Sequence, residues 1–252
     1  MSKNTELDKS VVLQLKDLRI KLFSDGADLD SIFSAYEGGI VKGFTTNPTL
    51  MAKAGITNYL VFAREVLRVV TALPVSFEVF SDDFEAMKRQ ALKLNELGEN
   101  VYVKIPITNT KRESSTPLIH ELSEAGLKLN ITAMMTLQQV RDVAEVLSPE
   151  SSAFVSVFAG RIADSGRDPI PIMKEAIKIL KSRPRAELLW ASPREALNFI
   201  QAEAIGCHII TATPQILAKA ELFGKDLDDF SLDTVKMFYD DAKTSGFTIL
   251  TD

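Results

Sequence analysis

Two kinds of segment alternate along the chain. Short runs rich in valine, isoleucine and aromatic residues are typical of buried strands. Longer segments carry apolar residues three or four positions apart, which is the spacing of an amphipathic helix. Glycine, proline, serine or aspartate stands at many of the junctions, where helices start and stop. The pattern therefore predicts a series of strand–helix units.

The predicted strands are short and evenly spaced. They cover residues 19–24, 40–44, 74–80, 100–105, 127–133, 153–158, 187–191 and 207–211. The predicted helices cover residues 4–18, 29–36, 58–73, 81–97, 117–125, 137–147, 170–182 and 193–204, with a further helix from about 214 and a last one at about 232–242. Helices thus precede and follow eight strand–helix units.

Strict alternation of strands and helices argues for a parallel sheet that is covered by helices. Eight units in 252 residues fit a closed barrel better than an open sheet. No Gly-x-Gly-x-x-Gly motif follows the first strand, which weakens a dinucleotide-binding interpretation. We therefore predict an α/β fold, a single (β/α)8 TIM-barrel domain over residues 1–252, with an N-terminal extension at 1–18 and a C-terminal helix at 231–245.

The composition limits the classes of partner and the cellular compartment that are expected for this chain. The net charge of -5 does not favour a nucleic-acid-binding surface. One cysteine, Cys207, suits a reducing compartment, and with two histidines it forms no visible metal cluster. No stretch is apolar for the length of a membrane helix, and residues 1–6 have no signal-peptide core. We expect a cytoplasmic protein with no metal, cofactor, membrane or nucleic-acid partner.

One predicted strand, residues 101–106, contains a lysine among β-branched and aromatic residues. Side-chain alternation places Lys104 and Tyr102 on one face and the valines on the other. A lysine is rarely buried without a partner or a chemical role, because desolvation of its charge is costly. Burial favours the neutral amine, which is the form that attacks a carbonyl. The ordinary alternative is an edge-strand lysine whose stem packs while its ammonium reaches water.

The ends of the predicted strands, where barrels of this kind place their active sites, carry most of the candidate residues. They are Asp25, Thr46, Asn47, Glu78, Lys104, Asn130, Thr132, Ser156, Phe158, Arg161, Ser192 and Arg194. Singly, each has an ordinary alternative: Asp25 in a turn, Asn47 before a proline turn, Ser192 as a helix cap. Together, at one end of one barrel, they favour a catalytic site, to which the eighth strand contributes less.

Five short motifs carry a family resemblance. They are Thr45-Thr46-Asn47-Pro48-Thr49, Val103-Lys104-Ile105-Pro106, Asn130-Ile131-Thr132, Phe158-Ala159-Gly160-Arg161-Ile162 and Ala191-Ser192-Pro193-Arg194. In this order they resemble the transaldolase family, in the smaller subgroup that includes fructose-6-phosphate aldolases, over about residues 19–220. The resemblance implies a class I (Schiff-base) enzyme that moves a dihydroxyacetone unit between sugar phosphates.

The resemblance also implies a role for each candidate. Lys104 matches the Schiff-base lysine, and Asp25 matches the aspartate that assists proton transfer at the substrate hydroxyl. Glu78 and Thr132 match the pair that holds a water used as acid and base. Substrate contacts are implied for Thr46, Asn47, Asn130, Ser156, Phe158, Arg161, Ser192 and Arg194. The two arginines and the serine match the phosphate-binding group, for which bidentate guanidinium groups are well suited.

Three positions bear on the choice within the family. Fructose-6-phosphate aldolases carry glutamine at the position of Glu78 and tyrosine at the position of Phe158. At both positions this chain therefore resembles the transaldolases. Gly26 departs from the threonine that usually follows the aspartate, which puts the support of Asp25 in doubt. The alternatives are an aldolase of the same fold that releases dihydroxyacetone, and a non-catalytic barrel that binds sugar phosphate.

The predicted C-terminal helix has an apolar face beyond the eighth unit, formed by Val235, Phe238, Tyr239 and Ala242. The helix either folds over its own barrel or acts as an arm on a neighbouring subunit, with residues 224–229 as the hinge. The resemblance supplies a precedent for the arm, so we expect a homo-oligomer.

Overall fold

The computed structural model describes residues 14–249 of the chain. Its strands are β1 (Lys21–Asp25), β2 (Gly43–Thr45), β3 (Val75–Glu78), β4 (Val101–Pro106), β5 (Leu129–Met134), β6 (Ala153–Val157), β7 (Ala186–Trp190) and β8 (Ile209–Ala212). They form a closed parallel barrel in chain order, in which β8 pairs with β1. The predicted (β/α)8 barrel is therefore confirmed.

Helices follow the strands and surround the barrel. They are α1 (Leu29–Glu37), α2 (Pro48–Lys53), α3 (Tyr59–Val69), α4 (Phe84–Asn95), α5 (Thr116–Glu124), α6 (Leu137–Val146), α7 (Ala159–Asp164), α8 (Ile170–Leu180), α9 (Leu197–Ala204), α10 (Pro214–Ala218) and α11 (Leu227–Ser245). Two 3-10 turns cover Leu15–Asp17 and Lys219–Leu222. Aspartate or asparagine side chains cap several of these helices, as Asp28 caps α1 and Asn58 caps α3.

Successive residues of each strand face opposite layers, which separates two apolar clusters. The alternate residues Val101, Val103 and Ile105 of β4 are fully buried in the larger cluster, which the strands share with the helices. Inside the barrel, Phe154 meets Phe23 edge to face at 5.4 Å and stacks on Tyr102 at 4.0 Å between ring centroids. This aromatic layer fills the barrel interior on the amino-terminal side of Lys104, because Tyr102 lies two residues before Lys104 on the same face of β4.

The strand register places polar residues of neighbouring strands in two rows. Asp25 of β1 pairs with Thr45 of β2, and Thr45 pairs with Ser76 of β3. Two residues further along β3, Glu78 pairs with Lys104 of β4, and Lys104 pairs with Asn130 of β5. Because all strands are parallel, both rows lie toward the carboxyl end of the barrel. The fold itself therefore assembles the residues that the sequence predicted to converge.

The helix predicted to start at Ser81 is wrong in its first turn. α4 begins at Phe84, because the Asp83 side chain accepts the backbone N–H of Ala86 at 2.8 Å and caps the helix. Two six-residue helices that were not predicted, α2 and α7, directly follow β2 and β6. Predicted site residues lie in or next to both helices: Asn47 precedes α2, and Arg161 lies in α7. These residues are therefore held by helical turns and not by irregular loops.

The helix predicted over residues 193–204 also starts later, at Leu197. The Asn198 side chain accepts the backbone N–H groups of Arg194 at 2.8 Å and of Glu195 at 3.2 Å. These bonds tie residues 193–196 into a loop in place of a first helical turn. Ser192 has a φ of 60° and is not the cap of this helix. The segment with two predicted site residues is thus a fixed loop.

The C-terminal helix α11 starts at Leu227, before the predicted start, because the Asp226 side chain accepts backbone N–H groups of the first turn at 2.8 and 3.1 Å. No residue of α11 is buried. Of its apolar face, Phe238 is 63% and Tyr239 is 67% exposed. Within residues 14–249 the helix is therefore not folded over its own barrel.

Most of the predicted N-terminal helix, and of the extension at 1–18, lies outside the described residues. At the start of the described range, Leu15–Asp17 forms a single 3-10 turn. From residue 14 to 249, no helix is both long and apolar enough to cross a membrane. In the same range, no cluster of three or more His, Cys, Asp or Glu side chains is arranged to hold a metal ion.

Candidate active site

A cavity of about 580 Å³ opens at the carboxyl ends of the strands. All of the predicted site residues except Thr46 and Arg194 contribute to its wall. Those that do are Asp25, Asn47, Glu78, Lys104, Asn130, Thr132, Ser156, Phe158, Arg161 and Ser192. Thr45, Lys53 and Thr211 also line the cavity, and the sequence analysis gave them no role in the site. The barrel thus joins ten of the predicted residues around one space.

The opposite end of the barrel carries a smaller cavity of about 440 Å³, near the starts of the strands. The cations around it are engaged within the protein. Lys21 donates to Glu187 at 2.8 Å, and Lys42 donates to the carbonyl of Gly39 at 3.0 Å. None of the predicted site residues lines this cavity, whereas ten line the larger one, so the cavity at the carboxyl ends is the better candidate for chemistry.

Lys104 is buried in the wall of the larger cavity, with 6% of its surface exposed. Its Nζ lies 3.0 Å from Glu78 Oε2 and donates a hydrogen bond to the Thr46 carbonyl at 3.0 Å. Tyr59 donates to the Glu78 carbonyl at 2.8 Å and fixes the end of β3. Since β4 lies between β3 and β5, the alternative of an edge-strand lysine with a solvated ammonium is wrong. The amine is held beside a carboxylate.

Asp25 adds a second carboxylate to the same cavity. Desolvation by burial raises the pKa of this carboxyl above its usual value of 3.8. The positive charge of Lys104 and a hydrogen bond from Thr45 act in the opposite direction, because both favour the ionised form. Burial thus favours the neutral acid, whereas Lys104 and Thr45 favour the ionised carboxylate.

Two threonines support Asp25 from neighbouring strands. Thr45 Oγ1 donates to Asp25 Oδ1 at 2.7 Å and lies 2.6 Å from Thr211 Oγ1. With Asp25 ionised, the single proton of Thr45 points to the carboxylate, so Thr211 must donate to Thr45. The support that Gly26 cannot give comes from β2 and β8. The eighth strand contributes more to the site than the sequence analysis expected, and a threonine at each strand end was the available signal.

Asn130 is fixed between two hydroxyls. Its Nδ2 donates to Ser76 Oγ at 2.9 Å, and Ser156 Oγ donates to its Oδ1 at 2.6 Å. All three residues are buried. The chain of bonds sets the amide orientation and leaves the second Nδ2 proton of Asn130 and the lone pairs of Ser156 for a ligand. Ser76, which the sequence analysis did not single out, is the anchor of this chain.

Asn47 and Thr132 offer further hydrogen-bonding groups to the cavity. Asn47 Oδ1 accepts the backbone N–H of Leu50 at 3.0 Å and caps α2, so its two amide protons remain as donors. The Thr132 hydroxyl is buried and has no hydrogen-bond partner among residues 14–249. The Thr46 hydroxyl shares that condition, but Thr46 lies outside the lining and contributes its carbonyl to Lys104.

The predicted arginines occupy different positions. Arg161 lines the cavity, and its guanidinium carbon lies 5.7 Å from the centre of the Phe158 ring. Arg194 does not line the cavity, because its guanidinium forms a salt bridge with Asp164. This guanidinium holds the pKa of Asp164 below the usual value of 3.8. Ser192, between the two arginines, lines the cavity and accepts a bond from Arg194 Nη1 at 2.8 Å.

These features define a (β/α)8-barrel protein with a lysine–carboxylate centre in the polar cavity at the carboxyl ends of its strands, where such barrels carry their active sites. A family model described as Transaldolase/Fructose-6-phosphate aldolase matches residues 22–249. The chain belongs to this family.

Curated relatives match most of the chain. A "Probable transaldolase" of Thermoanaerobacter sp. (strain X514) is 31% identical over 231 residues, which are 91% of this chain and 100% of that protein. A second, from Caldicellulosiruptor saccharolyticus, is 33% identical over 200 residues, 79% of this chain and 88% of that protein. A third, from Nitrosopumilus maritimus, is 32% identical over 203 residues, with 79% and 86% covered.

Solved structures share the fold at low sequence identity. A dihydrodipicolinate synthase from Rhodopseudomonas palustris superposes with a TM-score of 0.55 at 14% identity, over 92% of this chain and 82% of that one. A 2,3-dimethylmalate lyase gives a TM-score of 0.55 at 14% identity, over 95% and 88%. At these identities the likeness concerns the barrel alone.

Proposed function

We propose that the protein is a class I transaldolase, which transfers a dihydroxyacetone unit between sugar phosphates through a Schiff base on Lys104. Suitable partners are fructose 6-phosphate and erythrose 4-phosphate, giving sedoheptulose 7-phosphate and glyceraldehyde 3-phosphate, an exchange of the pentose phosphate pathway. The observation that carries the proposal is the buried Lys104 amine 3.0 Å from Glu78, with Asp25 in the same cavity. Membership of the family supports it.

The first step requires a neutral amine, because the protonated form has no lone pair. Glu78 lies within hydrogen-bonding distance of Lys104 Nζ and can take its proton. The amine then attacks the ketone carbon, and the resulting carbinolamine hydroxyl leaves as water with a proton returned by Glu78. The product is an iminium ion. The Thr132 hydroxyl, which has no partner among the described residues, is suited to hold that water.

Carbon–carbon cleavage requires a base at the substrate hydroxyl beyond the breaking bond. We assign this role to Asp25. It takes the hydroxyl proton, the bonding electrons move to the iminium nitrogen, and an aldehyde leaves while an enamine stays on Lys104. An acceptor aldehyde reverses these steps, and water then hydrolyses the imine. A positioned acid–base group of this kind accelerates a reaction by roughly 10²–10⁴-fold.

The remaining lining residues supply binding groups of the right type. The amide protons of Asn47 and Asn130 and the lone pairs of Ser156 match sugar hydroxyls. Arg161 supplies a cation for the phosphate beside the Ser192 hydroxyl. Binding energy at this remote phosphate holds the reacting carbon against the amine.

Phe158 favours transfer over release of dihydroxyacetone. Its ring lines the cavity and packs against the aromatic layer of the barrel interior. A phenyl ring has no hydroxyl with which to protonate an enamine, so the intermediate persists until an acceptor aldehyde enters. An aldolase of the same fold that releases dihydroxyacetone is the alternative that Phe158 disfavours.

We further propose that the chain is one domain that works in the cytoplasm as a homo-oligomer, without a metal, cofactor, nucleic acid or membrane partner. The support for an oligomer is the exposed apolar face of α11, since contiguous exposed apolar surface marks interaction sites. Residues 223–226, shorter than the predicted hinge, join this helix to the 3-10 turn at Lys219–Leu222.

A product assay tests the reaction. Purified protein is incubated with fructose 6-phosphate, with and without erythrose 4-phosphate, and the products are separated by chromatography. A transaldolase forms sedoheptulose 7-phosphate and depends on the acceptor. Equal turnover without acceptor, with free dihydroxyacetone as product, would instead identify an aldolase, and no turnover of any sugar phosphate would favour a binding protein.

A further inference from the structure

The backbone carbonyl of Glu78, at the end of β3, lies where the ladder between β2 and β3 has run out of donors. Thr46 N–H donates to the Ser76 carbonyl at 3.3 Å, and Phe44 N–H bonds to β3 in the same way two residues earlier. Because parallel strands repeat this bond at every second residue, the donor for the Glu78 carbonyl would be residue 48. Residue 48 is Pro48, which has no N–H and already belongs to α2. The ladder therefore ends one bond short of the Glu78 carbonyl.

The phenol of Tyr59 takes the place of the missing donor. Its hydroxyl donates to the Glu78 carbonyl at 2.8 Å. Tyr59 is the first residue of α3, which the Asn58 side chain caps, and its ring centroid lies 6.3 Å from that of Phe77 and 5.5 Å from that of Phe80. Burial raises the pKa of the phenol above its usual value of 10.0, so the group stays a donor at neutral pH. The helix cap and the ring contacts thus fix the hydroxyl against the end of β3.

One peptide unit connects this phenol to the strand that carries the lysine. The carbonyl of Glu78 and the N–H of Val79 belong to the same planar unit. The carbonyl accepts from Tyr59 on one side, and the N–H donates to the Lys104 carbonyl at 3.0 Å on the other. From the residue that precedes this N–H, Glu78 Oε2 reaches to 3.0 Å from Lys104 Nζ. A peptide held at both ends thus sets the orientation of the carboxylate relative to the amine.

We propose that Tyr59 is a positioning residue, whose hydroxyl replaces the N–H that Pro48 lacks and holds Glu78 in the orientation that exchanges a proton with Lys104. The exchange itself rests on the proposed function. Tyr59 does not line the cavity that contains Lys104, so it acts through Glu78 and not on the substrate. Without the hydroxyl, the end of β3 can take further orientations, and the population of the productive one falls.

The first test is the rate of imine formation in Tyr59→Phe, which removes the hydroxyl and keeps the ring. A hydrogen bond between neutral groups corresponds to about a 2- to 13-fold change in an equilibrium constant. We expect the initial rate of imine formation on Lys104 with dihydroxyacetone to fall by about that factor. The reaction is quenched with borohydride at timed intervals, and the adduct is counted by intact mass.

Two controls accompany this rate. The Kd of Tyr59→Phe for inorganic phosphate, measured by calorimetry, should equal that of the wild type, because Arg161 lies in α7 after a different strand, β6. Tyr36→Phe removes a phenol hydroxyl from α1, no residue of which lines the cavity. It is the matched control and should keep the wild-type rate and the wild-type Kd.

A double-mutant cycle asks whether Tyr59 acts through the carboxylate of Glu78. Glu78→Gln keeps the length of the side chain and removes the charge that accepts the Lys104 proton. In the Glu78→Gln background, Tyr59→Phe should cause no further fall in the rate of imine formation. A role in stability alone would give the same loss in both backgrounds.

Amide hydrogen exchange tests the geometry without the chemistry. The Val79 N–H, which is bonded to the Lys104 carbonyl, reports on the peptide unit that Tyr59 holds. In Tyr59→Phe this N–H should exchange about 2- to 13-fold faster than in the wild type, as followed by NMR. In Tyr36→Phe its exchange should not change.

Four results would overturn the inference. They are an unchanged rate of imine formation in Tyr59→Phe, a loss that adds fully to that of Glu78→Gln, unchanged exchange at Val79, and a Kd for inorganic phosphate that rises by the same factor as the rate falls. The exchange measurement separates this inference from the proposed function. If the wild-type protein forms no adduct on Lys104 but Val79 exchanges faster in Tyr59→Phe, the proposed function is wrong and the positioning of Glu78 by Tyr59 stands.

Discussion

Replacement of Thr45 by valine removes one hydroxyl from the site and keeps its shape. In the wild-type protein that hydroxyl donates to Asp25 Oδ1 at 2.7 Å and is supported by Thr211 at 2.6 Å. A hydrogen bond to a charged group contributes about 1.5–3 kcal/mol, so the ratio of ionised to protonated Asp25 should fall about 10- to 150-fold at any fixed pH. The pKa of Asp25, already raised by burial, therefore rises further.

The expected result is a pH-dependent loss. Since Asp25 must be ionised to accept the substrate proton, kcat/KM at pH values below the wild-type Asp25 pKa should fall by about that same 10- to 150-fold factor. Well above the pKa of the variant, Thr45→Val should approach the wild-type rate. The acidic limb of the pH–rate profile therefore moves to higher pH.

The assay is the pH dependence of kcat/KM for transfer from fructose 6-phosphate. Thr45→Ser, which retains the hydroxyl, is the matched control and should keep the wild-type profile. Thr211→Val removes a bond between neutral groups, worth about 0.5–1.5 kcal/mol, and should shift the limb less. A loss by Thr45→Val that is the same at every pH would refute the electrostatic reasoning, since it would show that the hydroxyl only positions the carboxylate.

Three further predictions concern stability, anion binding and assembly. Because burial raises the pKa of Asp25 in the folded state, its ionisation opposes folding at neutral pH, and this penalty is lost as the pH falls through the folded pKa toward 3.8. Asp25→Asn should therefore have a higher Tm than wild type at neutral pH, with a difference that shrinks toward pH 4; a constant difference would contradict this. Arg161→Ala should raise the KM for fructose 6-phosphate about 10- to 100-fold and leave that for dihydroxyacetone unchanged; equal losses on both would remove the phosphate role. A chain that ends at Gly224 should assemble with fewer subunits than the full chain, as measured by light scattering. An equal number of subunits in both assemblies would exclude α11 as the arm.

The barrel could be predicted because its signal is distributed over the whole chain. Most strands are short runs with β-branched or aromatic residues and most helices have an apolar stripe, so errors at single boundaries did not change the number or order of units. The position of Lys104 followed from the same pattern, since alternation within one strand fixes which face it occupies. Its pairing with Glu78 also required the register between β3 and β4, which the sequence does not state.

The supporting residues could not be predicted because they depend on contacts between distant segments. Thr45 and Thr211 lie 166 residues apart and meet only because β1 closes the barrel between β2 and β8. Asp164 and Arg194 are 30 residues apart and meet because two loops interlock at a glycine. The start of α9 was missed for a different, local reason, since the Asn198 side chain from its own first turn accepts the N–H groups of Arg194 and Glu195.

The central claim is that the Lys104 amine forms a Schiff base with a ketose, and reductive trapping tests it most directly. The protein is incubated with fructose 6-phosphate and borohydride, digested, and the modified peptide is sequenced by mass spectrometry. Lys53, the other lysine that lines the cavity, provides the matched control. We predict one adduct, on Lys104, which Lys104→Ala abolishes and Lys53→Ala leaves intact. An adduct on Lys53 or another lysine, or one that survives in Lys104→Ala, would contradict the account.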